Sequence, residues 1–441
     1  MEEQQKLDFI RGELTGAILK ALNLNNEDLA AINLSTPDHL DGFMSTIHNL
    51  ILITKGNETN EGKTISLMVK IMKGDEVSRE TSQTNVQFTN EVYIYSKVLP
   101  AFKDLIKSRD CAAQVDTWCP KVVYSKAGVI PSFSSMYETI LVMENMTMDG
   151  FKNGPRNDLD EAHLTLMAKR IAEFHACTYA LKIMDEESIN TLVEGIIPLN
   201  FIKDGQLFKS YAAMFRNGLE RIFGYIDEHP EHYNSEQFKT DMAELRSKYG
   251  KEPIRLMQKF LQRDEYSVIL HGDYNRNNVL FKYENGNPVD IRMFDFQENR
   301  YATPSIDLTF FMCMSMVTGF REQFWTALLK CYHGSLIDTL IDILKCDKND
   351  PRLETYSYNN FMDHMKKFGL YGAMVAGHFL PWMLGSKEEC ALLAEASWRD
   401  IESAEMKHLT MVAGGEAVTK RLVEIFQHMS ELGYFSIVYD D

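Results

Sequence analysis

The sequence predicts an α+β chain in two lobes: a mixed or antiparallel sheet in residues 1–146 and a mostly helical lobe in 147–441. Three observations predict this. Short apolar runs broken by polar turns crowd the first third, as strands do. Apolar residues at three- and four-residue spacing dominate the rest, as on one face of a helix. A length of 441 residues, 45% of them hydrophobic and 25% charged, buries a large core and suits more than one lobe.

The first lobe opens on an amphipathic helix over residues 4–23, with Leu7, Ile10, Leu14, Ala17, Ile18 and Leu22 on one stripe. A short strand follows at Ala31–Ser35. Asp41-Gly42-Phe43-Met44-Ser45 reads as a small-residue turn, then Thr46–Thr54 as a strand, Lys55–Lys63 as a polar turn and Thr64–Met72 as a third strand. Backbone N–H groups beside Gly42 and Ser45 can approach phosphate oxygens, because glycine has no Cβ. The same residues read equally as an ordinary hairpin turn. Lys70 alternates against Leu67, Val69 and Ile71, so it lies on the opposite face of its strand, turned to solvent or to a cleft. From Thr84 to Pro100, Phe88, Val92, Tyr95 and Leu99 mark a helix ended by proline. Glu91 flanks that stripe and is the carboxylate placed to pair with a buried Lys70. Val122–Tyr124 and Thr139–Met143 read as the last strands. The second runs into Glu144 and Met146, hinge positions where a purine edge can meet main-chain groups.

In the second lobe, 159–182 reads as a helix carrying His175, which reads as structural. Residues 200–262 read as helix-rich. Then comes the stretch with the most chemistry: Val268-Ile269-Leu270-His271-Gly272-Asp273, four residues, Asn278, and an apolar run. Asn285-Gly286 is a strong hairpin signal, and a further run ends on Asp295-Phe296-Gln297. Asp273, Asn278 and Asp295 are thereby expected at the ends of neighbouring strands. This is the spacing of a phosphoryl-transfer loop: one carboxylate takes a proton from an acceptor hydroxyl, while an amide oxygen and a second carboxylate hold magnesium. His271 reads as a brace for that loop. Asp307, opening the next apolar helix, reads as a support that hydrogen-bonds the loop backbone. Helices fill 320–345, 355–384 and 388–433. Their load of Met and aromatic residues suits a bulky, apolar alcohol.

A net charge of −17 speaks against nucleic acid or an anionic membrane as partner. Seven scattered cysteines without a C-x-x-C pair read as reduced thiols, and the polar start of the chain shows no signal-peptide core. A cytoplasmic protein with no obligate protein partner is the expectation.

His271-Gly272-Asp273 with Asn278, Asp295-Phe296-Gln297, Leu141–Asn145, Lys70, Glu91 and Asp307 together resemble the insect ecdysteroid kinase-like proteins, within the wider group of choline-kinase-like and aminoglycoside-phosphotransferase-like enzymes. The resemblance implies a two-lobed protein-kinase-like fold, ATP with Mg2+, and transfer of phosphate to a hydroxyl of a small molecule such as an ecdysteroid or a xenobiotic. It implies that Asp273 is the catalytic base, Asn278 and Asp295 the magnesium ligands, Lys70 the phosphate contact and Glu91 its partner. A choline-type kinase, or a kinase-like scaffold that binds without turnover, remains the alternative. A protein kinase is disfavoured, because Asp307 and its helix follow Asp295 too soon for a peptide-docking segment.

Overall fold

The computed structural model describes residues 3–36, 44–56, 62–156, 158–203, 206–207 and 209–440. The chain divides into two compact units. One comprises residues 1–104, 114–152 and 292–297; the other comprises 105–113, 153–291 and 298–441. The boundary expected at 146/147 falls at 152/153, and a six-residue segment containing Asp295 is counted with the first unit.

The first unit is built on a five-stranded antiparallel sheet. A leading helix, α1 (3–21), contains a π-helical turn at Ile10–Leu14. The strands are β1 (Leu29–Ser35), β2 (Ser45–Thr54), β3 (Thr64–Met72), β4 (Val122–Ile130) and β5 (Ser134–Glu144), in the order β1-β2-β3-β5-β4. Helix α2 (Thr84–Tyr93) lies between β3 and β4 in sequence. Alternation along β3 sorts its side chains. Leu67, Val69 and Ile71 join Ile10, Leu14 and Ile18 of α1 in one core. Met72 turns the other way, into a cluster with Met44 and Phe88 of α2. Lys70, two residues before Met72, shares that second face.

Two expectations for this unit are corrected. Pro100 does not end its helix: a π-helical turn, Ile94–Val98, follows α2, and the chain stays helical through Leu99–Ser108. A wide turn of this kind lets a helix absorb a missing N–H donor. Strands β4 and β5 also extend well beyond Val122–Tyr124 and Thr139–Met143, because backbone pairing continues through their polar ends.

The second unit is mostly helical. Helix α3 (Glu161–Met184) is buried along most of its length. Short strand β6 (Val268–Ile269) leads into the His-Gly-Asp loop. Strands β7 (Val279–Glu284) and β8 (Asn287–Met293) form the expected hairpin, and both turn residues, Asn285 and Gly286, have positive φ. Strand β6 pairs not with β7 but with β9 (Tyr301–Ala302), so the three site residues do not end three adjacent strands. Every residue of α4 (Ser305–Ser315) is buried, as its all-round apolarity demands. Helix α5 (Thr318–Leu344) follows. Helix α6 (Tyr371–Leu384) crosses α4 at Gly372, where a Cβ would sit 2.2 Å from the Thr309 carbonyl oxygen. Helix α7 (Gly415–Glu431) is the last long helix. No cysteine is in a disulfide. Among the described residues, no helix is long and apolar enough to cross a membrane.

Candidate functional site

The charges of the first unit meet at Lys70. Its ammonium lies 2.8 Å from Glu91 Oε2 and 2.8 Å from Asp295 Oδ1, and the Phe88 ring is 4.8 Å away. Strand alternation aims Lys70 at α2, and helical spacing presents Phe88 and Glu91 one turn apart. Burial opposes the lysine charge, yet Asp295 and Glu91 together hold its pKa above the ordinary value. Glu91 is pushed up to about 7, first by burial, against the pull of Lys70 and with Asp295 adding to the rise. With both carboxylates ionised, the cluster carries one negative charge in excess. Such an excess is costly when buried unless a cation offsets it.

Asp295 has φ +67°, a left-handed conformation rare outside glycine and typical of functional positions. Its segment is held on both sides. Met293 N–H donates to the Trp118 carbonyl at 2.7 Å, and the Phe296 ring meets Tyr95 edge-on at 5.5 Å. Arg79, buried in the short helix Glu76–Thr81, ties that helix to the end of β3 and to β5. It pairs with Glu138 at 3.1 Å and donates to the carbonyls of Met72, Lys73 and Tyr137. Nothing in the local sequence marks Arg79, since an arginine among charged residues reads as exposed.

In the second unit the His-Gly-Asp loop hangs on Asp307. This fully buried carboxylate accepts His271 N–H on one oxygen and Gly272 N–H on the other, both at 2.8 Å. His175 Nε2 is 3.1 Å from Asp307, and its Nδ1 is 2.9 Å from the Tyr332 hydroxyl. His175 is therefore one link of a chain that runs from α5 to the loop, a connection no local pattern could reveal. Gly272 has φ +85°, and a Cβ there would fall 1.8 Å from the Glu298 carbonyl oxygen. No other residue fits.

The Asp273 carboxylate accepts two side-chain amides, Asn275 Nδ2 on Oδ1 and Asn278 Nδ2 on Oδ2, each at 2.7 Å. Asn278 Nδ2 also reaches the Asp273 carbonyl at 2.9 Å. With its nitrogen so used, the oxygen of the Asn278 amide is the atom left for a cation. His271 is buried, and its Nδ1 lies 3.4 Å from the Asp273 N–H. Tyr274 anchors the outgoing chain through its hydroxyl, which donates to the Met167 carbonyl at 2.8 Å.

The remaining sequence-derived positions are placed as follows. Gly42 lies outside the described residues. Ser45 is buried at the start of β2, opposite Met72. Glu144 ends β5 opposite Leu67, and its N–H donates to the Lys121 carbonyl. Met146 is buried and opens a 3-10 turn capped by the Asn145 side chain. The structure thus brings together Lys70, Glu91 and Asp295 in one unit, and His271, Asp273, Asn278 and Asp307 in the other.

The donors suit magnesium. Asp295 of the first unit offers a carboxylate oxygen and Asn278 of the second an amide oxygen, each taken singly the type of ligand a hard cation accepts. Among the described residues no group of three or more His, Cys, Asp or Glu forms a metal cage. A magnesium bound with phosphates does not need one, because it keeps waters and phosphate oxygens as ligands.

Comparison with known proteins gives one family match: the family model described as the ecdysteroid kinase-like family covers residues 39–345. No curated protein matches. Among solved structures, the GDP and kanamycin complex of the phosphotransferase APH(2″)-IIIa shares 13% identity with the chain. The match covers 90% of this chain and 97% of that one, with a TM-score of 0.38. The macrolide 2′-phosphotransferase of Brachybacterium faecium shares 10% identity, over 83% of this chain and 98% of that one, with a TM-score of 0.33.

Proposed function

This chain belongs to the ecdysteroid kinase-like family, and on that footing we propose that it is a small-molecule phosphotransferase of protein-kinase-like fold that transfers the γ-phosphoryl group of ATP to a hydroxyl of a lipophilic alcohol. An ecdysteroid, a related steroid or a xenobiotic is the acceptor class that fits best. The observation that carries this reading is the Lys70 ammonium held 2.8 Å from both Glu91 and Asp295. A purely structural ion pair gains nothing from a second carboxylate in a left-handed backbone conformation.

In this reading Lys70 contacts the phosphates and Glu91 keeps it aimed. Asp295 and the amide oxygen of Asn278 would be the protein ligands of the magnesium. The metal, when bound, neutralises phosphate charge. The acceptor hydroxyl gives its proton to the Asp273 carboxylate as its oxygen bonds to the γ-phosphorus. The bond to the bridging oxygen breaks, and ADP leaves. Asn275 and Asn278 fix the Asp273 carboxylate before substrate arrives, so little reorganisation is left for the reaction itself. The Asp307 anchor fixes the loop backbone in the same way.

The test is ATP consumption with magnesium across a panel of ecdysteroids, other sterols, plant phenolic glycosides and choline. Turnover on a lipophilic alcohol is the expected result. Turnover on choline alone would replace the acceptor class, and ATP binding without consumption on any alcohol would replace catalysis with binding.

A further inference from the structure

The catalytic loop carries one residue that phosphoryl transfer does not use. Arg276, three residues after Asp273, is 4% exposed, and its Nε and Nη1 are shut from solvent with no hydrogen-bond partner. Arg421 of α7 is near enough to act on it as a like charge. Arg421 pairs with Asp158 at 2.8 Å and donates Nη2 to the Met316 carbonyl at 3.0 Å, while its Nε is likewise buried without a partner. Asp158 is the carboxylate in the field of Arg276; Arg421 and Arg156 are like charges there. One carboxylate, paired with Arg421, thus shares its neighbourhood with three guanidiniums that act on one another as like charges, in a chain whose net charge is −17. Composition does not produce that local excess.

A buried donor without a partner costs about 1–3 kcal/mol, and more when charged. Here three such donor nitrogens sit on two guanidinium groups. A carboxylate has two oxygens and fills one guanidinium fork, whereas phosphate or sulfate offers more acceptors than that. We propose that Arg276 and Arg421, with Arg156 at the rim and Asp158 orienting Arg421, form a binding site for a tetrahedral oxyanion. The anion is phosphate or sulfate, supplied free or as an ester on the acceptor. Only the second source rests on the kinase reading.

The experiment uses the full chain and inorganic phosphate and sulfate as probes, against chloride at equal ionic strength. Calorimetric titration and the thermal midpoint are read for wild type, Arg421→Gln, Arg421→Lys and Arg276→Met. Wild type should bind phosphate and melt higher in it. Arg421→Gln and Arg276→Met should bind at least tenfold more weakly, with Arg421→Lys between them and wild type. Without anion, Arg276→Met should be at least as stable as wild type, because it removes an uncompensated buried charge. Phosphate acting no differently from chloride, or variants binding like wild type, would overturn the site. So would Arg276→Met melting well below wild type in chloride, which would make Arg276 a structural prop.

A second arm compares a diol acceptor with its monosulfate. A lower KM for the sulfate that Arg421→Gln erases assigns the anion to the acceptor. Equal KM values, with phosphate still bound, assign it to the free ion. Phosphate binding by a protein that never consumes ATP would keep this site and sink the kinase reading, so the two failures are separable.

Discussion

Lys70 and Asp307 are both buried charges, but they are held in different ways. Around Lys70, charge meets charge: one ammonium, two carboxylates and a net negative excess. Around Asp307, charge meets dipoles: two backbone N–H groups at 2.8 Å and the His175 ring. The first arrangement is unbalanced and suits a place where a cation and a phosphate chain exchange each turnover. The second is satisfied as it stands and suits a loop that must not move. The contrast teaches that the charges around Lys70 are left unbalanced, while the His-Gly-Asp loop is fixed through its backbone.

Substitutions can break or sharpen this contrast. The largest effect is expected at Gly272. Gly272→Ala puts a Cβ 1.8 Å from the Glu298 carbonyl oxygen at φ +85°, and should destabilise the fold by more than about 4 kcal/mol. Chemical denaturation measures this, and a midpoint near wild type would show that the loop is not rigid. Next is Asp307→Asn, which sets an amide donor against a backbone N–H and should cost about 1–3 kcal/mol. It should lower kcat while leaving the KM for ATP nearly unchanged. A change in the KM for ATP alone would place Asp307 with the unbalanced group instead.

Smaller is Glu91→Gln, which leaves Lys70 to Asp295 alone. ATP should bind about tenfold more weakly, a loss of about 1.4 kcal/mol. Unchanged ATP affinity would detach Glu91 from phosphate positioning. The smallest effect is the pH dependence of stability. Glu91 has its folded pKa raised from 4.5 to about 7, so the folded state holds its proton more tightly than the unfolded chain does. Its contribution to stability is therefore present below 4.5 and is lost as pH rises to about 7. Lys70, raised above its ordinary value, keeps its contribution below its unfolded pKa and loses it only at high pH. Between pH 4.5 and 7, wild type should lose stability relative to Glu91→Gln. Parallel curves for the two proteins would contradict the raised pKa.

The sequence made the local patterns legible. Strand β3 runs over Thr64–Met72 as its alternation indicates, and the turn at Asn285-Gly286 follows from its residue types. The close pairing of Lys70 with Glu91 was readable because strand and helix periods each set a direction. What stayed hidden depends on contacts distant in sequence. His175 gains meaning only when α3 meets Asp307, which lies 132 residues later. Arg79 and Arg276 look like surface arginines until packing closes over them. The pairing of β6 with β9 was also out of reach, because two residues of strand carry no register. Pro100 misled because the π-helical turn before it has no composition of its own.

The most direct measurement compares wild type with Asp273→Asn for magnesium-ATP affinity and for turnover on whichever alcohol the panel yields. Loss of the base should lower kcat by about 10²–10⁴-fold, with ATP affinity within a few-fold of wild type. Equal turnover in the two proteins would contradict the account.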